Sequence, residues 1–189
     1  LSHLGRIKEE KDKEKNSLSI VAKRLSSLVS NKVFFSNKTR GEELETQIAN
    51  LQEGEILLIE NTRFEDYPKT LESSCDEALS KYWASLADIY VLDAFGTAHR
   101  CHASTYGISK YVPSCIGFLV EKELIALKKF VIDAKKPLTV VMGGAKIEDK
   151  INLIEKFLEK CDHLLLTGGI ANTFLKVLNI NIGESIASK

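Results

Sequence analysis

An α/β fold with a parallel sheet is what this sequence predicts, on three observations. Short β-rich apolar runs recur along the chain, at 32–36 (KVFFS), 55–61 (EILLIEN), 89–95 (IYVLDAF), 138–144 (LTVVMGG) and 163–169 (HLLLTGG). Helical patterns fill the stretches between them, and such alternation is the mark of βαβ units. The runs are continuously apolar rather than alternating in period two, which suits strands covered on both faces by helices.

Taken in order, the opening LSHLGR reads as the end of a strand whose beginning is absent. Residue 1 is Leu, not Met, so the chain is expected to be a window from something longer. The mixed charge run KEEKDKEK (8–15) fits a solvated loop or a helix start. Helices are expected at 17–30 (SLSIVAKRLSSLVS), 41–51, 72–87, 119–134, 147–161 and 170–179. The one at 119–134 stands apart, because VPSCIG before it and KKP after it are boundary signals. Its Val120, Leu124, Leu127 and Val131 hold one apolar stripe, and it is expected to join two lobes.

Composition narrows the function. A chain of 189 residues that is 44% hydrophobic can bury a core, as one full domain or two partial ones. No run approaches the roughly 18 apolar residues of a membrane span, and LSHLGRIKEEK lacks the apolar stretch of a secretory signal, so a cytoplasmic protein is expected. Lys plus Arg equal Asp plus Glu at 26 each, leaving no overall field to draw nucleic acid or a membrane. Any anion site must be local. Cys75, Cys101, Cys115 and Cys161 form no C-x-x-C pair and read as reduced thiols.

In open α/β sheets ligands bind beyond the carboxyl ends of the strands. His3, Gly5 and Arg6 follow the first, Arg63 follows EILLIEN, and His99, Arg100 and His102 follow IYVLDAF. A guanidinium holds a carboxylate or phosphate with two parallel hydrogen bonds and stays charged at any working pH. Three such groups suit a small, multiply charged anion. The alternative is that each Arg pairs with a neighbouring acid, as Arg63 could with Glu60, Glu65 or Asp66.

The second half differs. VVMGGAKIEDK takes a strand through Gly143 and Gly144 into an expected helix, with Lys146 and Lys150 four apart on one face. Such glycines let backbone approach a ligand while the ammonium groups neutralise phosphate, although a Gly-Gly turn also serves packing alone. A Walker A loop is absent. TGGIANTF repeats the pattern with Gly168 and Gly169, which could admit a flat ring or another backbone. His99, Cys101 and His102 match no common zinc spacing, and no G-x-S-x-G elbow occurs.

The stretches SHLGR (2–6), LLIENTRF (57–64), DAFGTAHRCHASTYGI (93–108), GFLVEKEL (117–124), VVMGGAKIEDKI (140–151) and LLLTGGIANTFLK (164–176) closely resemble those of phosphoglycerate kinases, in the same order. The resemblance implies two Rossmann-like lobes, both incomplete here: 1–116 for phosphoglycerate, 117–134 as the interlobe helix, and 135–189 as the start of the nucleotide lobe. It implies phosphoryl transfer between 1,3-bisphosphoglycerate and ADP, giving 3-phosphoglycerate and ATP. By position, His3, Leu4, Gly5, Arg6, Arg63 and Arg100 would bind phosphoglycerate, with His99 and His102 beside Arg100. Lys146 would lie near the transferred phosphoryl group and act in catalysis. Lys146, Lys150, Gly144, Gly168 and Gly169 would bind ADP or ATP, the last two as the wall of an adenine pocket. Magnesium would come with the nucleotide, its ligand expected outside this chain, and a monomer without nucleic-acid or membrane partners is implied.

Departures from the family pattern are also legible. Its first strand, with an Asp, an Asn and a catalytic Arg, is expected before residue 1, and its glycine-rich nucleotide loop and magnesium acid after residue 189. Ile7 stands where Pro is usual and Cys101 where a small residue is usual. The isolated 189 residues are therefore expected to show negligible kinase activity, with open sheet edges favouring aggregation. A truncated, non-catalytic product that binds an anion or a partner protein remains the alternative. An unrelated nucleotide-binding module leaves the basic groups of the first half unexplained.

Overall fold

The computed structural model describes every residue except Asp133, Asp149 and Lys189, and, for Val131, the backbone only. It is a mixed α/β structure with parallel strands, as the apolar runs require. In chain order come α1 (Asp12–Lys15), α2 (Ser19–Ser26), β1 (Val33–Ser36), α3 (Glu42–Ala49), β2 (Ile56–Ile59), α4 (Glu77–Ala84), β3 (Tyr90–Leu92), β4 (Ser114–Ile116), α5 (Phe118–Val131), β5 (Thr139–Gly143), α6 (Ile151–Leu158), β6 (His163–Thr167) and α7 (Gly168–Val177). Contacts divide the chain into two compact units, Leu1–Leu124 and Ile125–Lys189, so the division falls inside α5.

The strands pair in parallel twos, β1 with β2, β3 with β4 and β5 with β6. One strand has no counterpart among the expected elements: VPSCIG carries boundary signals, yet Ser114–Ile116 pairs with Tyr90–Leu92. Three residues carry too little pattern to register. Pro113, which cannot donate to a ladder, sits just before the strand and accepts the Tyr90 N–H at 2.9 Å. Coverage on both faces does not hold either. Val91, Val141 and Leu165 are 51%, 67% and 53% exposed. In the second unit the helices cover one face of β5–β6, where Met142, Ile154 and Ile170 are buried together with Leu164 and Leu166 against them.

In the first unit, Leu18, Ala22 and Leu58 form one cluster, and Leu79, Trp83, Ala84, Ala103 and Ile108 another. Buried polar groups tie these elements together. Glu60, at the end of β2, accepts from Ser17 Oγ at 2.6 Å and from the N–H groups of Leu18 and Asn61 at 2.7 Å, which anchors the start of α2. Trp83 Nε1 donates to the Thr39 carbonyl at 2.8 Å.

Helix starts differ from the sequence expectation where side chains make caps. Asp76 accepts from the Leu79 N–H at 2.8 Å, so α4 begins at Glu77 and 72–76 forms a turn rather than helix. Asp93 Oδ1 likewise accepts the N–H groups of Leu119 and Val120 at 2.8 and 3.1 Å, fixing the start of α5. Of the expected α5 stripe, Val120 is buried while Leu124 and Leu127 are exposed; the Val131 side chain lies outside the described residues, as does Asp133 in the expected 119–134 span.

Candidate anion site

The site grows from the chain beyond the ends of β2 and β3. Asn61 organises it: its Nδ2 donates to the Leu4 and Asn16 carbonyls at 2.7 and 2.9 Å, while its Oδ1 accepts the Arg63 N–H at 3.0 Å. Thr62 N–H to Ser2 C=O at 3.1 Å lays residues 2–6 alongside. Gly5 sits at φ 62°, with the Asn16 amide where a Cβ would go, so both backbone and space call for glycine there. Leu4 turns inward and packs on Leu18, Ala22 and Leu58.

Arg63 is buried, and its guanidinium donates to Asp66 at 3.3 Å and Ser73 Oγ at 3.1 Å. Asp66 in turn accepts from Ser73 N–H at 2.7 Å and Ser73 Oγ at 2.5 Å. The ion-pair alternative thus holds for Arg63 with Asp66. Glu65 is taken by Arg40 at 3.1 Å and by the Thr39 hydroxyl. Arg6 and Arg100 have no ion-pair partner among the described residues. Both line a cavity of about 340 Å³ together with Arg63, Lys8, Asp66, Ser73 and His102.

The segment bearing Arg100 is held by its own backbone. Thr105 Oγ1 donates to the Arg100 carbonyl at 2.7 Å and accepts the His102 N–H at 3.3 Å. Buried Glu72 accepts the Ser104 N–H at 3.0 Å and the Ser104 hydroxyl, and its carbonyl accepts the Ala103 N–H at 2.9 Å. Burial pushes the Glu72 carboxyl up, with hydrogen bonds from Ser104 opposing it. Desolvation, then Arg63 and Arg100, hold both His3 and His102 below the usual imidazole range. These shifts report that two imidazoles and two guanidinium groups share one field.

His3 belongs to that field but lines the neighbouring groove with Thr62 and Asp93. His99 does not join His102: it is exposed and lines a different cavity of about 570 Å³ with Tyr106 and Ser109. In an irregular segment, three residues of separation fix no common face. Lys8, Ser73 and Glu72 were missed by the sequence reading, because contacts between loops leave no periodic signal.

In the second unit, Lys146 and Lys150 do not share a helical face. α6 begins at Ile151, Lys150 is its N-cap, and Lys150 N–H closes a turn on the Ile147 carbonyl at 2.8 Å. Ile147 packs into the core with Ile154 and Ile170, which sets that turn ahead of the helix. Both lysines are exposed. The glycines have close-packing reasons. A Cβ on Gly169 would stand 2.7 Å from the Ala145 carbonyl oxygen and 3.0 Å from that of Gly144, and one on Gly144 would stand 3.3 Å from Ile170 Cδ1. Gly168 adopts φ 61° beside the Gly144 carbonyl. Gly169→Ala is accordingly expected to destabilise the protein by about 1–3 kcal/mol, the usual result of overpacking, read as a lower urea midpoint.

The family model for phosphoglycerate kinase matches residues 1–189. The chain belongs to the phosphoglycerate kinase family. It is 52% identical over 187 residues to the phosphoglycerate kinase of Mycoplasmopsis pulmonis, covering 98% of this chain and 24% of that one. It is 51% identical over 185 residues to that of Staphylococcus epidermidis, covering 98% and 47%. Among solved structures, phosphoglycerate kinase from Coxiella burnetii superposes with a TM-score of 0.80 at 38% identity, covering all of this chain and 46% of that one. The Pyrococcus horikoshii phosphoglycerate kinase gives 0.77 at 30% identity, covering 96% and 45%. The chain thus spans at most about half the length of these phosphoglycerate kinases.

Proposed function

We propose that this chain supplies the phosphoglycerate site, and part of the nucleotide site, of a phosphoglycerate kinase that moves a phosphoryl group between 1,3-bisphosphoglycerate and ADP in the cytoplasm. What supports it above all is the cavity where Arg6, Arg63 and Arg100 meet beside His102 in a chain of this family. Arg63, clamped by Asp66 and Ser73, is the fixed element that orients an incoming anion. Arg6 and Arg100 supply charge and, among the described residues, form no ion pair, while the Asp66 carboxylate in the same cavity is held by Arg63. Phosphoryl transfer asks the protein mainly for positioning and for positive charge around the phosphoryl oxygens, which such groups provide. Lys146 and Lys150 are assigned to nucleotide phosphates, Lys146 nearest the transferred group, and Gly144, Gly168 and Gly169 to the nucleotide's close approach. Magnesium would accompany ADP or ATP and neutralise its phosphates. Among the described residues no group of three His, Cys, Asp or Glu side chains is arranged to hold a metal ion. No described helix is long and apolar enough to cross a membrane.

The test, made on a whole phosphoglycerate kinase that carries this chain because the 189 residues alone are expected to show negligible activity, is ATP formation from ADP and 1,3-bisphosphoglycerate beside binding of 3-phosphoglycerate. Activity that falls in an Arg100→Ala variant supports the kinase. Binding without ATP formation supports the non-catalytic anion binder instead, and absence of both contradicts the phosphoglycerate site.

A pH effect follows from the histidines. His3 and His102 are held low, hence largely neutral near pH 7.5, and a bound dianion favours their protonated forms. At that pH a phosphomonoester, with a second pKa of about 6, is already dianionic. Binding should therefore take up protons, and affinity should rise as pH falls toward neutrality. Calorimetry in two buffers of different ionisation enthalpy should show uptake that shrinks in His102→Gln; equal uptake in the variant would rule His102 out.

A further inference from the structure

Two consecutive residues of one turn hold both halves of the anion site. The turn is closed by Ser74 N–H to the Thr70 carbonyl at 2.8 Å, Cys75 N–H to the Glu72 carbonyl at 3.2 Å and Asp76 N–H to the Leu71 carbonyl at 2.9 Å. Its Ser73 Oγ accepts from the Arg63 guanidinium at 3.1 Å. Glu72, next to it, is 2% exposed and reaches the other half. Its carboxylate accepts the Ser104 N–H at 3.0 Å and the Ser104 hydroxyl, and its carbonyl accepts the Ala103 N–H at 2.9 Å. The same carboxylate stands 3.8 Å from His102 Nδ1. Tyr90 Oη donates to the Ser104 carbonyl at 2.7 Å, so Ser104 is held at its N–H, hydroxyl and C=O together. Arg100 and His102 lie just before Ser104, and Thr105 Oγ1 on the Arg100 carbonyl at 2.7 Å folds that stretch back onto the anchored one.

We propose that Glu72 is a positioning residue of the anion site: by fastening Ser104 to the turn whose Ser73 fastens Arg63, it sets the spacing of the Arg63 and Arg100 guanidinium groups. Glu72 does not line the cavity that these arginines share, so it acts through the segment and not on the anion. A carboxylate suits the task, because it is acceptor-only and its two oxygens can meet two donors at once. Without it the Ser104 N–H and hydroxyl lose their acceptor, and the Arg100 segment keeps only Tyr90 and its own internal hydrogen bonds. An anion gripped from two sides needs both guanidinium groups in register, and displacements of about 1 Å weaken such a grip severely. This role rests on the phosphoglycerate reading of the site.

Steady-state kinetics and amide hydrogen exchange on a whole phosphoglycerate kinase that carries this chain test it. In Glu72→Ala the KM for 1,3-bisphosphoglycerate should rise roughly 10- to 100-fold, the scale of a small misplacement of a binding group, while the KM for ADP stays at the parent's value. Exchange of the amides in 100–107 should quicken in the same variant. Glu72→Gln should restore most of both, since its amide can accept the Ser104 N–H and donate to the hydroxyl oxygen. Ser104→Ala removes a single hydroxyl and should raise the same KM by roughly 2- to 10-fold, the worth of one hydrogen bond, which decides the matter if Glu72→Ala fails to fold. Quickened exchange with an unchanged KM, or an equal rise in the KM of both substrates, would overturn the proposal while leaving the phosphoglycerate reading in place. A parent enzyme that neither binds 3-phosphoglycerate nor forms ATP would end that reading and this role with it.

Discussion

Arg63→Ala should unfold at a clearly lower denaturant concentration and lose phosphoglycerate binding at once. Arg63 and Asp66 are 9% and 7% exposed at their side chains and 3.3 Å apart. Removing the guanidinium leaves a buried carboxylate whose remaining hydrogen bonds come from Ser73, a change that typically costs about 3–5 kcal/mol. Asp66→Asn should recover part of that loss in the double variant, because an amide tolerates burial without a cation. Urea unfolding of the two single variants and the double closes a mutant cycle. Strict additivity would show that the pair is not coupled, contrary to the geometry.

Arg100→Ala should behave differently. Its side chain has no ion-pair partner among the described residues, and its segment is held by Thr97, Thr105 and Glu72 through backbone groups that the substitution leaves in place. Stability should stay within about 0.5 kcal/mol of the parent, as for surface changes. Binding of 3-phosphoglycerate should weaken by the worth of hydrogen bonds to a charged group, about 1.5–3 kcal/mol, or roughly 10- to 150-fold in affinity. Arg100→Lys should fall between, since an ammonium keeps the charge but not the planar fork. Calorimetric titration measures both, and unchanged affinity in Arg100→Ala would remove this residue from the site.

The two arginines also show what the sequence could and could not reveal. Strands β1, β2, β3, β5 and β6 were legible because each is a run of large apolar residues, a local property. β4 was not, because Ser114–Ile116 is a strand only by virtue of Tyr90–Leu92 beside it. The placing of basic residues beyond strand ends was legible from chain order alone. Which of them is clamped was not: Asp66 and Ser73 close on Arg63 across a loop of seven residues without periodic pattern. Lys146 and Lys150 were set on one helical face by spacing. Packing of Ile147 into the core overrode that spacing and delayed the helix to Ile151. The Gly-Gly pairs illustrate the same limit, since a sequence cannot separate a glycine needed by a ligand from one needed by a neighbouring carbonyl, as at Gly169.

The most direct measurement is a crystal structure of the protein soaked with 3-phosphoglycerate. The expected result is the ligand in the first unit, with an anionic group in hydrogen-bonding contact with both Arg63 and Arg100. Ligand bound elsewhere, or an Arg63–Arg100 cavity left empty at saturating 3-phosphoglycerate, would contradict the central assignment.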